Sequence, residues 1–227
     1  LLGKTDEALQ AARTAQRLAP ASAQPYLLMG QIYAGRGDNK AARDMFARAA
    51  GLSATDASPH LALGHLAQAE KNPDVALKEF DAALTANPKS LGAARAKAAL
   101  LVQQNRTKEA IQFAEGLTQR EPNNQDFQTM LGSLYGRERQ WEKSSAAYRK
   151  AVELNPKAVE PRLGLAGVSL SQGKDEEAIT QLQAAVQQEP GNRLAVLLIA
   201  GLYDRLARYD QAIAVLEAAV KAAPRQP

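Results

Sequence analysis

Residues 57–90 read ASPHLALGHLAQAEKNPDVALKEFDAALTANPKS, two helical stretches that turn at Lys71 and stop at Pro88. That proline returns as Pro122, Pro156, Pro190 and Pro224, each 34 residues after the last, and Pro20 lies two periods upstream; Ala54 alone breaks the series. A unit of this size cannot bury its own apolar face and must stack on neighbours, so the period predicts a solenoid.

With each proline at position 32, the chemistry falls into columns. Position 8 holds Gly30, Gly64, Ala98, Gly132, Ala166 and Ala200. Position 20 holds Ala42, Ala76, Ala110, Ser144, Ala178 and Ala212, and position 27 is alanine in every unit except at Leu117. Small residues there let two helices approach closely, while Leu63, Leu131, Leu165 and Ile199 at position 7 and Phe46, Phe80, Tyr148, Leu182 and Leu216 at position 24 fill the gaps. Five of six units place an acceptor side chain at position 34 (Ser22, Asp56, Ser90, Asn124, Asn192; Ala158 is the exception), where a first helix needs its N-cap. Pro25, Pro59 and Pro161 suit the first turn that follows. Gly3, Gly37, Asn105 and Gly173 at position 15 suit a left-handed residue between paired helices, and Lys71, Arg139 and Ala207 fit that column less well.

Composition agrees with helix throughout. The 227 residues are 45% hydrophobic, 23% charged and only 5% aromatic, with few β-branched side chains. No apolar run reaches the roughly 18 to 20 residues of a membrane span, and no leader pattern opens the chain. Zero cysteines exclude disulfides and thiolate chemistry and suit cytoplasm and periplasm equally.

These columns resemble the tetratricopeptide repeat family along the whole chain. The resemblance implies an all-α fold, a right-handed α-α superhelix of about 13 helices: a second helix at 1–22, then six repeats at 23–56, 57–90, 91–124, 125–158, 159–192 and 193–227. The opening Leu1–Pro20 aligns with the second half of a repeat, and Pro224-Arg225-Gln226-Pro227 comes where another would begin. Both ends are therefore expected to be cuts within a longer array, any targeting signal lying outside.

Catalytic constellations are weak. His60 and His65 are five residues apart, off the row a metal would need; His60 falls in a packing column and His65 on an exposed one. Gly35-Arg36-Gly37-Asp38 follows a helix and lacks the later residues of a phosphate loop. Asp175-Glu176-Glu177 opens a helix, where negative charge complements the dipole, and Gly164-Leu165-Ala166-Gly167 reads as tight helix packing. The net charge of +4 is spread unevenly, from −3 in 159–192 to +2 in three other repeats, without interleaved aromatics, so nucleic acid is not the expected partner. No enzyme activity, cofactor or metal is expected. Lys97 stands in the otherwise apolar column 7 and must snorkel or pair.

In the family, first helices line the concave wall through positions 2, 5, 9, 12 and 13. Carried over, the partner groove comprises Gln24, Leu27 and Gln31; Leu61, His65 and Gln68; Arg95; Thr129, Ser133 and Arg137; Leu163 and Leu170; Leu197 and Asp204. The Lys/Asn/Arg clamp of chaperone-docking members is missing, and so is the asparagine ladder at position 6. The expected function is a protein-binding scaffold. The Ala, Arg and Gln richness looks bacterial and is similar to scaffolds of envelope assembly or exopolysaccharide secretion. The rival readings are a regulatory module of a larger enzyme and a self-assembling array joined through its terminal helices.

Overall fold

The computed structural model of the chain describes residues 2–222. Among them run thirteen α-helices and no strand. They are α1 (Leu2–Leu18), α2 (Ala23–Gly35), α3 (Asn39–Leu52), α4 (Ala57–Ala69), α5 (Pro73–Ala86), α6 (Leu91–Gln103), α7 (Thr107–Arg120), α8 (Gln125–Arg137), α9 (Trp141–Leu154), α10 (Val159–Ser171), α11 (Asp175–Gln188), α12 (Arg193–Arg205) and α13 (Tyr209–Ala222). Pro224 and the residues around it lie outside the described chain. So does Leu1.

Two compact units divide the chain, Leu1–Arg106 and Thr107–Pro227. The first holds α1 to α6, with α2 paired to α3 and α4 to α5; the second holds α7 to α13, with pairs α8/α9, α10/α11 and α12/α13. Inside each unit every second helix also packs on the first helix that follows it, which is how small hairpins acquire a shared core. The division falls inside the 91–124 stretch, the one with Ala114 where the others have an aromatic or leucine.

Packing within the pairs follows a rule hidden in two columns. A Cβ added at Gly30 would stand 2.4 Å from the Phe46 ring, at Gly64 2.3 Å from Phe80, and at Gly132 2.8 Å from Tyr148, all inside contact distance. The ring of the second helix therefore sits on bare backbone of the first, and Phe80 is completely buried. Where position 8 is alanine instead, position 24 is Ala114, Leu182 or Leu216. Glycine goes with a ring and alanine with a smaller side chain. Tyr148 goes further, because its ring also fills the space at Gly164 on the next first helix, at 2.3 Å from a built Cβ. The Gly164–Gly167 stretch is tight packing at its first glycine only; nothing approaches Gly167.

The corners are alike in geometry and unlike in sequence. Gly37, Lys71, Asn105, Arg139, Gly173 and Ala207 all have φ between 54° and 78°. At each, the left-handed residue and its successor donate back into the last turn, as Gly37 N–H to Ala34 O at 3.0 Å and Asp38 N–H to Tyr33 O at 3.0 Å. Lys71, Arg139 and Ala207 thus adopt the conformation their side chains disfavour, because the paired bonds and the packing of both helices hold the backbone there. Gly3, by contrast, lies within α1 and makes no turn, since α1 already begins at Leu2.

Capping is narrower than the sequence implies. Asp56, Ser90, Asn124 and Asn192 accept from backbone N–H groups of the first turn, but Ser22 makes no such bond although its backbone is extended.

A second tie joins successive hairpins. Three first helices carry a tyrosine at position 11, and each meets the side chain 20 residues earlier on the preceding helix. Arg13 donates to the Tyr33 hydroxyl at 3.2 Å, Tyr135 donates to Glu115, and Gln183 donates to the Tyr203 hydroxyl at 2.8 Å. Burial, reinforced by the Glu115 carboxylate, pushes the Tyr135 phenol up to about 12. Lys97 is paired as well: its ammonium reaches Asp81 on α5 while its stem remains partly covered.

Three measurements test these interactions. Gly64→Ala is expected to lower stability in urea denaturation by about 1–3 kcal/mol despite alanine's better helix propensity, and Gly64→Ala with Phe80→Leu to recover part of the loss. Ala207→Gly should raise stability and Gly173→Ala lower it, each by about 1 kcal/mol. Because the raised Tyr135 pKa favours the protonated phenol in the folded state, its contribution is full below the ordinary tyrosine value of about 10 and is lost as pH rises through about 12. Stability profiles of the wild type and Tyr135→Phe should converge across that window.

Candidate partner-binding faces

On every first helix the residues at positions 9 and 13 are exposed, and at position 2 all are exposed except the half-buried Asp126. These positions are spaced i, i+7, i+11 and form one stripe along the helix. Positions 5 and 12 lie on its flank, against neighbouring helices, and are mostly half-buried or buried.

In the first unit, Gln24 and Gln31 are exposed on α2, His65 on α4 and Arg95 on α6. Leu27 is not part of an open face: at 7% exposure it belongs to a core cluster with Leu9, Met29 and Phe46. Leu61 is half-buried, its methyl 3.1 Å from a Cβ built at Gly92, so it packs across to α6. Gln68 donates to Gln103 at 3.3 Å along the same face. The His65 ring leans edge-on against Phe80, with centroids 5.4 Å apart, while His60 Nδ1 lies 2.8 Å from Glu79. The two histidines therefore have separate structural partners.

In the second unit, Ser133 and Arg137 are exposed on α8, but Thr129 is 2% exposed. Its hydroxyl donates to the Gln125 carbonyl at 2.9 Å and accepts from the Gln125 side chain, so Thr129 is a satisfied core residue. Ser133 is hydrogen-bonded with Tyr148, whose phenol is raised by burial, lowered in part by that bond and raised again by Glu160. Leu163 and Leu170 are half-buried beside the α11/α12 core. Leu197 is 54% exposed and Asp204 exposed. Two further leucines share this face, Leu194 at 58% and Leu198 at 37%: Leu194 stands in column 2, which contributes only Gln24 to the expected groove, and Leu198 in column 6, outside the carried-over columns. Gly167 and Gly201, both at position 9, have nothing within 4 Å of a built Cβ, so no packing reason requires glycine.

The acidic start of α11 is bound to its neighbours. Asp175 pairs with Arg205 at 2.6 Å, and Arg208 grips Glu176, holding that carboxyl below its usual range. No group of three metal-ligating side chains and no helix fit to cross a membrane occurs among the described residues.

Paired helices, left-handed corners and a stripe of exposed first-helix residues define a helix-hairpin repeat protein. Family models described as tetratricopeptide repeat match residues 67–134 and 170–227, and residues 2–57 and 129–193. The chain belongs to the tetratricopeptide repeat family, whose members are in general protein-interaction scaffolds rather than enzymes. It is 26% identical over 113 residues to anaphase-promoting complex subunit 3 of Schizosaccharomyces pombe, covering 50% of this chain and 17% of that protein. It is 29% identical over 97 residues to the human protein O-mannosyl-transferase TMTC1, covering 43% of this chain and 11% of the relative. Thus it spans less than a fifth of either relative's length. Among solved structures it resembles yeast Tom70, with a TM-score of 0.72, 22% identity, and coverage of 94% of this chain and 45% of that one.

The bare glycines separate fold from binding. Gly167→Ala and Gly201→Ala are each expected to raise stability by about 0.5–1 kcal/mol, the opposite sign to Gly64→Ala, as read from urea denaturation.

Proposed function

We propose that the chain is a non-enzymatic scaffold whose first-helix faces hold a peptide or partner protein. The observation that carries this reading is the α12 face, where Leu194, Leu197 and Leu198 lie open to water around Gly201. Exposed leucines in a cluster are unfavourable unless something covers them. Glycine beside them lets a bound backbone come close, which fits an amphipathic helix or an extended peptide with apolar anchors. Arg137 and Ser133 on α8 add polar groups that would fix orientation. A setting in bacterial envelope assembly or exopolysaccharide secretion is supported by composition and analogy alone.

A peptide-display selection on the purified protein tests the face. Enriched peptides should carry apolar residues at helical spacing, and Leu194→Glu with Leu197→Glu should weaken them at least about tenfold without loss of helical circular dichroism. Failure to enrich any peptide, or equal binding to the double variant, would refute the face.

Two other readings have a specific observation each. The match to a segment of a mannosyl-transferase favours a module within a larger enzyme, which adjoining catalytic sequence would establish. Exposed Ile213, Leu216 and Val220 on α13 favour self-assembly, which a concentration-independent monomer in sedimentation would eliminate.

A further inference from the structure

A recess rimmed by arginines in the first unit lies away from the partner stripe. It has a volume of about 540 Å³, is open to solvent and is lined by α1, α2 and α3. Its rim carries Arg13 and Arg17 from α1 and Arg48 from α3, all exposed, and no carboxylate lines it. Met29 and Met45 contribute an apolar floor. On α2 the recess takes Tyr26, Met29 and Tyr33, which point roughly 170° around the helix from Gln24, Gln31 and Gly35 at 3.6 residues per turn. It is a separate surface.

None of the three arginines is neutralised, and two of them are positioned. Arg13 donates to the Tyr33 hydroxyl at 3.2 Å and Arg17 to Thr14 at 3.3 Å, so both are held by neutral oxygens. Gln16 likewise donates to Tyr26 at 3.2 Å, so the phenolic oxygens of Tyr26 and Tyr33 both act as acceptors at the recess wall. Asp44 stands one turn before Arg48 on α3, yet it does not line the recess, and no ion pair joins them. Elsewhere in this unit arginines do find carboxylates: Arg36 pairs with Asp6 and Arg43 with Glu70. Three guanidiniums gathered without a counter-charge repel one another unless an anion joins them.

Geometry selects the kind of anion. Arg13 and Arg17 are four residues apart, about 6 Å along the α1 axis, with Arg48 across the recess. Donors spread along a strip suit successive carboxylates better than one compact phosphate, which needs its donors converging on a point. The methionine floor between them suits an apolar side chain flanked by acids. We propose that this recess is a second docking site, for an acidic peptide segment of a protein partner carrying an apolar residue between its carboxylates. It is independent of the first-helix face.

Fluorescence anisotropy with a labelled EELEE peptide tests it, with KKLKK and inorganic pyrophosphate as the other arms. EELEE should bind saturably, KKLKK should not, and Arg13→Gln with Arg17→Gln and Arg48→Gln should weaken EELEE at least about tenfold, glutamine keeping the helix propensity of arginine. Arg36→Gln should leave binding unchanged. Met45→Glu, with every arginine intact, should also weaken it, and Leu194→Glu with Leu197→Glu should not, which separates this site from the α12 face. Absence of EELEE binding, or equal binding to the triple arginine variant, would overturn the site. Pyrophosphate held as tightly as EELEE, and lost in the same variant, would overturn the peptide assignment.

Discussion

The close seating of a second-helix side chain on a small first-helix residue is the constraint on which the rest depends. Where Phe46, Phe80 and Tyr148 lie on Gly30, Gly64 and Gly132, the distance between paired helices is set by ring thickness on bare backbone. That spacing accompanies a left-handed corner at position 15 in all six hairpins, whether the small residue is glycine or alanine. It also fixes which side of each first helix remains open. Leu27 and Leu61 are drawn into the seams, and positions 9 and 13 are left to solvent. In an interior that tolerates few voids and little overlap, one small residue per pair, glycine under a ring or alanine under a smaller side chain, thus positions the residues that meet a partner.

Much of the fold was legible because its period is written in residue types with steric meaning. Prolines, small columns and acceptors at helix starts each have one dominant physical use, and they recur in step. The corners were only half legible. Gly37, Asn105 and Gly173 announce a left-handed residue, but Lys71, Arg139 and Ala207 adopt one because the surrounding hydrogen bonds and packing impose it. Local preference is outweighed there, and nothing in the three residues themselves signals it.

The partner face was legible as a set of columns but not residue by residue. A column gives the direction of a side chain, whereas burial depends on what the next helix places against it. Leu27 and Thr129 share column 5 with the exposed Arg95 and Leu197, yet the first two are enclosed. The tyrosine ties of Tyr33, Tyr135 and Tyr203 escaped notice because each joins unlike partners: an arginine, a carboxylate and an amide. The common feature is a spacing, which a search for like residues overlooks. Likewise the arginine recess contains no motif, since its members come from three helices and only folding brings them together.

The six corners have one more property. The left-handed residue of each of these six corners is exposed, and its backbone is held by bonds from main-chain groups, so glycine, lysine, asparagine, arginine and alanine all occupy it. The architecture sets the shape of the bend and leaves the side chain free. Each repeat therefore presents one site at which the side chain can change during evolution at a cost of about 1 kcal/mol for any residue other than glycine, giving the array a set of exchangeable surface labels at regular intervals.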